Sequence, residues 1–284
     1  MSIVVTGATG HLGRMTVEQL LEKVPAGEIT AVVRDAAKGA DFAARGVRIA
    51  VADYNTPETF DGLFAEGDKV LLISGNELAK DRAVQHQVVI DAAKAAGVAL
   101  LAYTSAPSAL HARLVDPHRA TEKALLASGL PYSLLRNGWY HENYTENLAP
   151  VLAHDAVVAA AGDGRVSSAA RADYAAAAVA VLTGEGHENT AYELGGDTAW
   201  SFAEYAAELT RATGREIVYK PVSVPELEAI LTGAGLPEAL VTVFAEVDEA
   251  IERGELVVSG GELSRLIGRP TTPLAVAIEA ALKD

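Results

Sequence analysis

The first half of the chain alternates short apolar runs, rich in valine and isoleucine, with longer amphipathic or alanine-rich stretches. This alternation is typical of a parallel sheet that is covered by helices on both faces. The predicted strands are Ile3–Thr6, Ile29–Val33, Val47–Val51, Lys69–Ile73, Ala99–Thr104 and Tyr132–Arg136. The predicted helical stretches between them are Arg14–Glu22, Phe60–Ala65, Gln85–Ala96 and Thr121–Ser128. Six strands joined by right-handed crossovers predict an α/β protein with a doubly wound parallel-sheet Rossmann fold.

After about Tyr140 the pattern becomes mostly helical. Residues 156–161 are predicted to form a strand, and an apolar helix over 173–183 is predicted to pack against the main sheet. Ser201 and Glu204 form a capping box that starts a further helix, which Gly214 ends. Helices are also predicted near 224–232, over 237–253 and after residue 273. We therefore predict a Rossmann domain over residues 1–149 and a smaller part over 150–284, in which residues 156–183 rejoin the sheet.

The composition narrows the class of protein. The 284 residues are half hydrophobic, carry a formal net charge of −15 and include no cysteine, which excludes disulfides and a thiol nucleophile. The acidic balance argues against nucleic-acid binding. The histidines are scattered without metal-ligand spacing, so no metal site is expected. The chain starts without a secretory pattern and has no run of roughly 18–20 apolar residues, so we expect a cytoplasmic protein that does not bind membranes.

A glycine-rich turn, Gly7-Ala8-Thr9-Gly10-His11-Leu12-Gly13, joins the first predicted strand to the first helix. In this context Gly7 permits the tight turn, Gly10 lets a pyrophosphate approach the backbone, and Gly13 lets the helix pack close to the sheet. The free amides of the helix N-terminus then face the phosphates. The turn therefore predicts a dinucleotide-binding site.

The residue after the second strand is Arg34, where proteins that prefer NAD carry an acidic residue for the ribose 2′-hydroxyl. A guanidinium cannot accept from that hydroxyl, but it can bind a 2′-phosphate. NADPH is therefore the predicted cofactor, the alternative being that Arg34 is a surface residue paired with Asp35. Ser74 and Thr104 end the fourth and fifth strands and are expected to line the cofactor path. Asp53 is predicted either to contact the adenine or to cap the next segment.

Several longer segments resemble one known family in order and spacing. They are Ala102-Tyr103-Thr104-Ser105, Ser128-Gly129-Leu130-Pro131-Tyr132 and Leu135-Arg136-Asn137-Gly138-Trp139-Tyr140, together with the glycine turn and Arg34. The chain resembles the NmrA-like branch of the atypical short-chain dehydrogenases, and its run 137–144 is most similar to the bacterial type 2 NAD(P)H:quinone oxidoreductases. The resemblance implies a flavin-free Rossmann enzyme that binds NADPH and reduces quinones. It also implies that Asn137–Glu142 border the nicotinamide and that the C-terminal part covers the substrate.

The catalytic Tyr-x-x-x-Lys pair of ordinary short-chain dehydrogenases is missing, because no tyrosine is followed four residues later by lysine. In related aromatic-alcohol reductases a catalytic lysine lies upstream of the glycine that corresponds to Gly129, and His118 occupies that position. His118 is either an acid that titrates near neutral pH or a solvated residue at a helix start. A quinone needs a proton donor less than a ketone does, so proximity to NADPH would supply most of the acceleration.

The predicted catalytic residues are Asn137, Tyr140 and His118. The predicted cofactor-binding residues are Gly7, Ala8, Thr9, Gly10, His11, Leu12, Arg34, Ser74, Thr104, Asn137, Gly138, Trp139, Tyr140, His141 and Glu142. The predicted partner is a quinone or similar planar acceptor, on which Trp139 and Tyr140 would stack unless they pack in the core. A reductase of triphenylmethane dyes and a non-catalytic dinucleotide sensor are the alternatives, and a homodimer is left open.

Overall fold

The structure is a computed structural model that describes residues 2–77, 81–146 and 148–283. Its strands are β1 (Ile3–Val5), β2 (Ile29–Val33), β3 (Arg48–Val51), β4 (Lys69–Leu72), β5 (Leu100–Ser105), β6 (Tyr132–Asn137), β7 (Ala156–Ala159), β8 (Arg165–Val166), β9 (Thr190–Leu194), β10 (Trp200–Ser201) and β11 (Val218–Pro221). Its helices are α1 (His11–Leu20), α2 (Ala40–Ala44), α3 (Arg82–Ala96), α4 (Asp116–Ser128), α5 (Glu142–Thr145), α6 (Ala149–His154), α7 (Arg171–Thr183), α8 (Phe202–Thr213), α9 (Val224–Gly233), α10 (Glu238–Glu252), α11 (Glu262–Ile267) and α12 (Leu274–Ala281).

The chain divides into two compact units, each built from separate stretches of sequence. The first unit comprises Met1–Ala106, Pro117–Asn137 and Arg171–Tyr192, and the second comprises Pro107–Asp116, Gly138–Ala170 and Glu193–Asp284. This division differs from the predicted one at residue 149, because the chain leaves the first unit after Asn137 and returns to it at Arg171.

The first unit contains a seven-stranded sheet with the order β3-β2-β1-β4-β5-β6-β9. Strands β1 to β6 pair in parallel, and Ile3 of β1 lies opposite both Ile29 of β2 and Lys69 of β4. The strand order therefore reverses between β1 and β4, which is the switch point where doubly wound sheets bind ligands at the carboxyl ends of their strands. The predicted doubly wound Rossmann fold is confirmed.

The strands of this sheet are almost entirely apolar because helices cover both faces. One face packs on a core that includes Val70, Leu72 and Leu101 from the strands and Val89 and Ile90 from α3. Helix α7 packs against α1 and against β4, β5 and β6, as predicted for the 173–183 helix. The buried residues of α7 include Ala175, Ala177 and Ala178, whose small side chains let helices approach closely.

The second unit is mostly helical and contains two small sheets. Strand β7 pairs in parallel with β11, with Ala156 opposite Val218, and β8 pairs antiparallel with β10. The predicted strand 156–161 therefore does not rejoin the main sheet, and only the 171–183 part of the predicted 156–183 stretch lies in the first unit. The capping box at Ser201 and Glu204 is present and starts α8, which ends at Gly214.

Two further predictions about elements are wrong. The stretch 60–65 is not an α-helix, because a short 3₁₀ turn ends at Phe60 and Gly62 then adopts a φ of +68°. The seventh strand, β9, was missed, since its sequence Thr-Ala-Tyr-Glu-Leu is short and half polar. No helix of the described residues is long and apolar enough to cross a membrane.

Candidate functional site

The glycine turn forms a tight cradle at the carboxyl end of β1. Gly7 has a φ of +60°, which glycine adopts without strain, and its carbonyl accepts a hydrogen bond from the amide of Gly10 at 2.9 Å. A Cβ on Gly13 would lie 2.2 Å from the carbonyl oxygen of Gly7, so only glycine lets α1 approach the turn this closely. The structure thus contains the close packing that the spacing predicted.

The N-terminus of α1 is suited to an anion. Gly10 is the N-cap, no side chain caps the helix, and the first turn carries no acidic residue. The first amides of a helix have no partner within it and carry a partial positive charge. Gly7, Gly10 and His11 are exposed and Thr9 is partly exposed, whereas Ala8 and Leu12 are buried and anchor the turn. The cradle therefore fits the pyrophosphate of a dinucleotide.

Arg34 follows β2 at the same edge of the sheet and extends into solvent. Its side chain is 68% exposed, and its Nη1 lies 2.8 Å from Oε1 of Glu77, with which it forms an ion pair. Asp35 does not hold Arg34, because its carboxylate accepts from the amide of Ala37 and caps the turn there. Asp53 likewise accepts from the backbone and side-chain nitrogens of Asn55, both at 2.8 Å, as expected for a capping role.

Ser74 and Thr104 join the carboxyl ends of β4 and β5. The amide of Ser74 donates to Oγ1 of Thr104 at 2.9 Å, and Thr104 is buried. Ser105, the next residue, donates to Oε1 of Glu122 at 2.6 Å. Glu122 also accepts two hydrogen bonds from the guanidinium of Arg136, at 2.9 and 2.8 Å. The ends of β5 and β6 are thus linked to α4 by a bidentate, half-buried ion pair.

A buried cluster of aromatic and imidazole side chains lies beside these strand ends. Nε2 of His86 accepts from the amide of Gly75 at 2.9 Å, and its Nδ1 lies 2.8 Å from Oγ1 of Thr121. The hydroxyl of Tyr103 lies 2.9 Å from Nδ1 of His118. Burial lowers the pKa of His118 to about 3, so its ring is neutral at pH 7. This lowered pKa disagrees with one of the two sequence-based alternatives for His118, an acid that titrates near neutral pH.

Asn137 ends β6 and has an unsatisfied amide. The residue is 7% exposed, and its Oδ1 is a buried oxygen without a hydrogen-bond partner among the described residues. Buried acceptors of this kind cost about 1–3 kcal/mol when they are left unpaired, so such an atom indicates a site that a ligand completes. An N–H donor, such as the carboxamide of a nicotinamide, fits this oxygen.

The residues that follow Asn137 belong to the second unit. Gly138 donates to the carbonyl of Leu194 at 2.7 Å, and the segment Trp139–His141 pairs with Ala169 through two backbone hydrogen bonds. Trp139, Tyr140 and Glu142 are partly exposed, which leaves their side chains accessible to a ligand.

His141 is different from its neighbours, because it is 2% exposed and both ring nitrogens bind within the second unit. Its Nε2 donates to the carbonyl of Thr272 at 2.9 Å, and its Nδ1 lies 2.8 Å from Oγ of Ser168. The indole of Trp200 donates to the same serine oxygen, so the hydroxyl proton of Ser168 is directed to His141. The ring of His141 therefore links segments of this unit, and the contact of His141 with the cofactor stays a prediction.

Sequence reasoning missed Glu77, His86, Tyr103 and Glu122. Tyr103 lies in a predicted apolar strand and was named only within the segment that resembles the family, while Glu77 and Glu122 follow no motif in the chain. A signal that could have pointed to Tyr103 is its hydroxyl, because a buried tyrosine hydroxyl usually has a partner. The described residues contain no cluster of three or more histidine, aspartate or glutamate side chains that could hold a metal ion.

Comparisons with known proteins agree with this geometry. Residues 7–185 match the model of a family described as NAD(P)H-binding. Quinone oxidoreductase 2 of Escherichia coli is 45% identical over 281 residues, which is 97% of each chain.

Two solved structures are also similar to this chain. The NADPH complex of the E. coli NADPH-dependent quinone oxidoreductase superposes with a TM-score of 0.95 at 44% identity, covering 99% of this chain and all of the other. Triphenylmethane reductase of Citrobacter superposes with a TM-score of 0.94 at 40% identity, covering both chains completely. The chain belongs to the NAD(P)H-binding family, as an NmrA-like reductase of the short-chain dehydrogenase type.

Proposed function

We propose that this chain is an NADPH-dependent oxidoreductase that transfers hydride to a quinone without a flavin. The observation that carries the proposal is the cradle between Gly7 and Gly13, in front of a helix N-terminus that no side chain caps. The similarity to quinone oxidoreductase 2 over nearly the whole chain supports the quinone as acceptor. The relatives named above are a quinone oxidoreductase and a triphenylmethane reductase, which favours an enzyme over a sensor.

Within the first unit, the proposed cofactor contacts follow the carboxyl edge of the sheet. The backbone of the turn from Gly7 to Leu12, at the N-terminus of α1, would hold the pyrophosphate, and Arg34 would bind the 2′-phosphate. Asn137 would accept from the carboxamide of the nicotinamide, which satisfies its buried oxygen. Ser74 and Thr104 would border the path between these two ends. Ala8 and Leu12 contribute through the backbone, because their side chains are buried.

When bound, NADPH supplies a hydride. The quinone that receives it becomes a hydroquinone anion, whose charge is spread over the ring, and the anion then takes a proton. This chain contributes by binding and orienting the two reactants, which removes most of the entropic barrier to their encounter. In the second unit, the partly exposed rings of Trp139 and Tyr140 would stack on a flat acceptor. Glu142 and the backbone of Gly138 belong to the same segment.

The test is the oxidation of NADPH by the purified protein in the presence of a benzoquinone or a naphthoquinone, followed by nicotinamide absorbance. We expect turnover with quinones and a higher kcat/KM for NADPH than for NADH. No oxidation above the background rate with several quinones would refute the proposal and favour a sensor. A higher kcat/KM for a triphenylmethane dye than for any quinone would instead support the dye reductase.

A cytoplasmic location and a homodimer are two further proposals. Cell fractionation would test the location. Sedimentation velocity of the purified chain would test the dimer, since a single species with the mass of one chain would exclude it.

A further inference from the structure

The hydrogen bonds around His86 fix which of its ring nitrogens carries the proton. A backbone amide can only donate, so Nε2 of His86 accepts from the amide of Gly75. Thr121 donates its hydroxyl proton to the carbonyl of Pro117 at 2.8 Å, so its oxygen is free to accept. Nδ1 of His86 therefore carries the proton and donates to Thr121 at 2.8 Å.

The hydroxyl of Tyr103 is the next group in the cluster. The hydroxyl of Tyr103 lies 3.4 Å from Nδ1 of His86 and 2.9 Å from Nδ1 of His118. Because the His86 nitrogen already carries a proton, it offers Tyr103 no lone pair. If Tyr103 donates to Nδ1 of His118, a neutral His118 carries its proton on Nε2.

The charges around the cluster keep these groups neutral. Burial lowers the pKa of both His86 and His118 to about 3 and raises the pKa of the Tyr103 hydroxyl. Arg82, the first residue of α3, is buried beside them and further disfavours an imidazolium. Two carboxylates lie near the cluster: Asp81 raises the pKa of His86, and Glu122 raises the pKa of the Tyr103 hydroxyl.

The chain of hydrogen bonds ends at His118. His118 is partly exposed, and among the described residues its Nε2 has no hydrogen-bond partner. Gly75 follows β4 and Tyr103 lies near the end of β5, so the cluster is at the carboxyl edge of the sheet, where ligands bind in this fold. A cluster with a purely structural role would end on an acceptor within the protein, whereas this one presents an N–H donor.

We propose that Tyr103 is a positioning residue that holds His118 with its proton on Nε2, and that this N–H donates a hydrogen bond to the acceptor oxygen on which negative charge develops. The inference rests on the proposed quinone reduction. The acceptor gains a hydride with its electron pair, NADP⁺ is left, and water supplies the proton that completes the hydroquinone. His118 keeps its proton throughout, so no group on the chain changes its charge. A hydrogen bond to a developing anion is stronger than one to a neutral carbonyl, which lowers the barrier.

The ring nitrogens of His118 can be observed directly by ¹⁵N NMR of the full-length protein, without substrate. We expect His118 to carry its proton on Nε2 in the wild type and to become a mixture of both tautomers in Tyr103→Phe. Tyr54→Phe is the matched control, because its buried hydroxyl bonds to Thr6 and to the carbonyl of Ile73 in the same unit. A wild-type His118 that carries its proton on Nδ1 would overturn the inference.

Kinetic measurements test whether His118 donates a hydrogen bond to the acceptor oxygen. A neutral hydrogen bond contributes about 0.5–1.5 kcal/mol, so Tyr103→Phe is expected to lower kcat for a quinone by about 2- to 13-fold with the Kd for NADPH unchanged. His118→Gln keeps an N–H donor and should retain more activity than His118→Leu. If Tyr103→Phe does not fold, these two variants still test whether His118 donates a hydrogen bond to the acceptor. Equal activity of Gln and Leu at this position would refute the role of His118. If the wild type reduces no quinone, the proposed function fails, whereas the NMR result would still stand.

Discussion

Replacing Gly13 by alanine tests the cradle most directly. The added Cβ would lie 2.2 Å from the carbonyl oxygen of Gly7 and 2.9 Å from Cα of Ala8, and both of these atoms belong to the backbone. No rotation of a side chain can relieve such contacts. The N-terminus of α1 must therefore move away from the turn by about 1 Å to restore ordinary van der Waals distances.

Two quantities follow from this displacement. Overpacking of this kind costs about 1–3 kcal/mol, which corresponds to a fall in Tm of about 2–10 °C for a chain of this size. The displaced amides would also lose one charge-assisted hydrogen bond to the pyrophosphate, about 1.5–3 kcal/mol, so the Kd for NADPH should rise by about 10- to 150-fold. Calorimetry measures the first quantity and fluorescence titration with NADPH the second.

Gly27→Ala is the matched control. No atom lies within 4 Å of the Cβ that it would add, and the residue belongs to the first unit. We expect its free energy of unfolding and its free energy of NADPH binding to equal those of the wild type within about 0.5 kcal/mol. Gly10→Ala should be intermediate, because its Cβ would approach the Gly7 oxygen only to 3.3 Å. If Gly13→Ala lowers Tm but binds NADPH as the wild type does, the turn is not the phosphate site.

Three further predictions concern charge. Arg34→Ala should raise the KM for NADPH about 10-fold and leave the KM for NADH unchanged. Glu77→Gln should lower the KM for NADPH by up to about 5-fold, because it releases Arg34 from an exposed ion pair. Equal effects on the two KM values in initial-rate assays would contradict this. Burial raises the pKa of Asp248 to about 6, so its carboxylate destabilises the folded chain as pH rises from 4 through 6. Asp248→Asn should therefore raise the free energy of unfolding by up to about 3 kcal/mol at pH 8 and leave it unchanged at pH 4, as measured by urea denaturation. The lowered pKa of His86 means that the unfolded chain takes up a proton that the folded chain excludes, so the free energy of unfolding falls as pH falls below 6.5. This loss amounts to about 1.4 kcal/mol per pH unit between pH 6 and 4, and His86→Gln should remove it. An unchanged pH dependence of the free energy of unfolding in this variant would show that His86 is protonated in the folded chain.

The parts of the fold that were predictable are those that depend on local pattern. Strands β1, β2, β4 and β5 lie inside the sheet and are almost fully buried, so their sequences are mainly apolar runs. The glycine turn is equally local, because Gly7, Gly10 and Gly13 each meet a backbone requirement that their spacing reveals. The predicted helix over 60–65 failed for a local reason as well, since Gly62 at positive φ interrupts it.

The parts of the site that were not predictable depend on contacts between distant residues. Arg34 pairs with Glu77, which lies on another loop, and nothing near Arg34 in the chain indicates this partner. One sequence-based alternative for His118 was an acid that titrates near neutral pH, as an isolated histidine does, whereas burial and Arg82 lower its pKa to about 3. His141 lies in the segment that resembles the family, yet its ring bonds to Thr272 and Ser168. Motif spacing identifies backbone roles more reliably than it identifies what a polar side chain contacts.

The return of the chain to the first unit at Arg171 has a consequence for synthesis on the ribosome. Helix α7 covers α1, and β9 covers the outer edge of β6, but both are translated after some thirty residues of the second unit have emerged. A nascent chain that ends between Asn137 and Arg171 therefore has an uncovered apolar helix face and an open strand edge, which are the features that promote aggregation. The nucleotide-binding unit is thus expected to complete its folding only after Leu194 has left the ribosome.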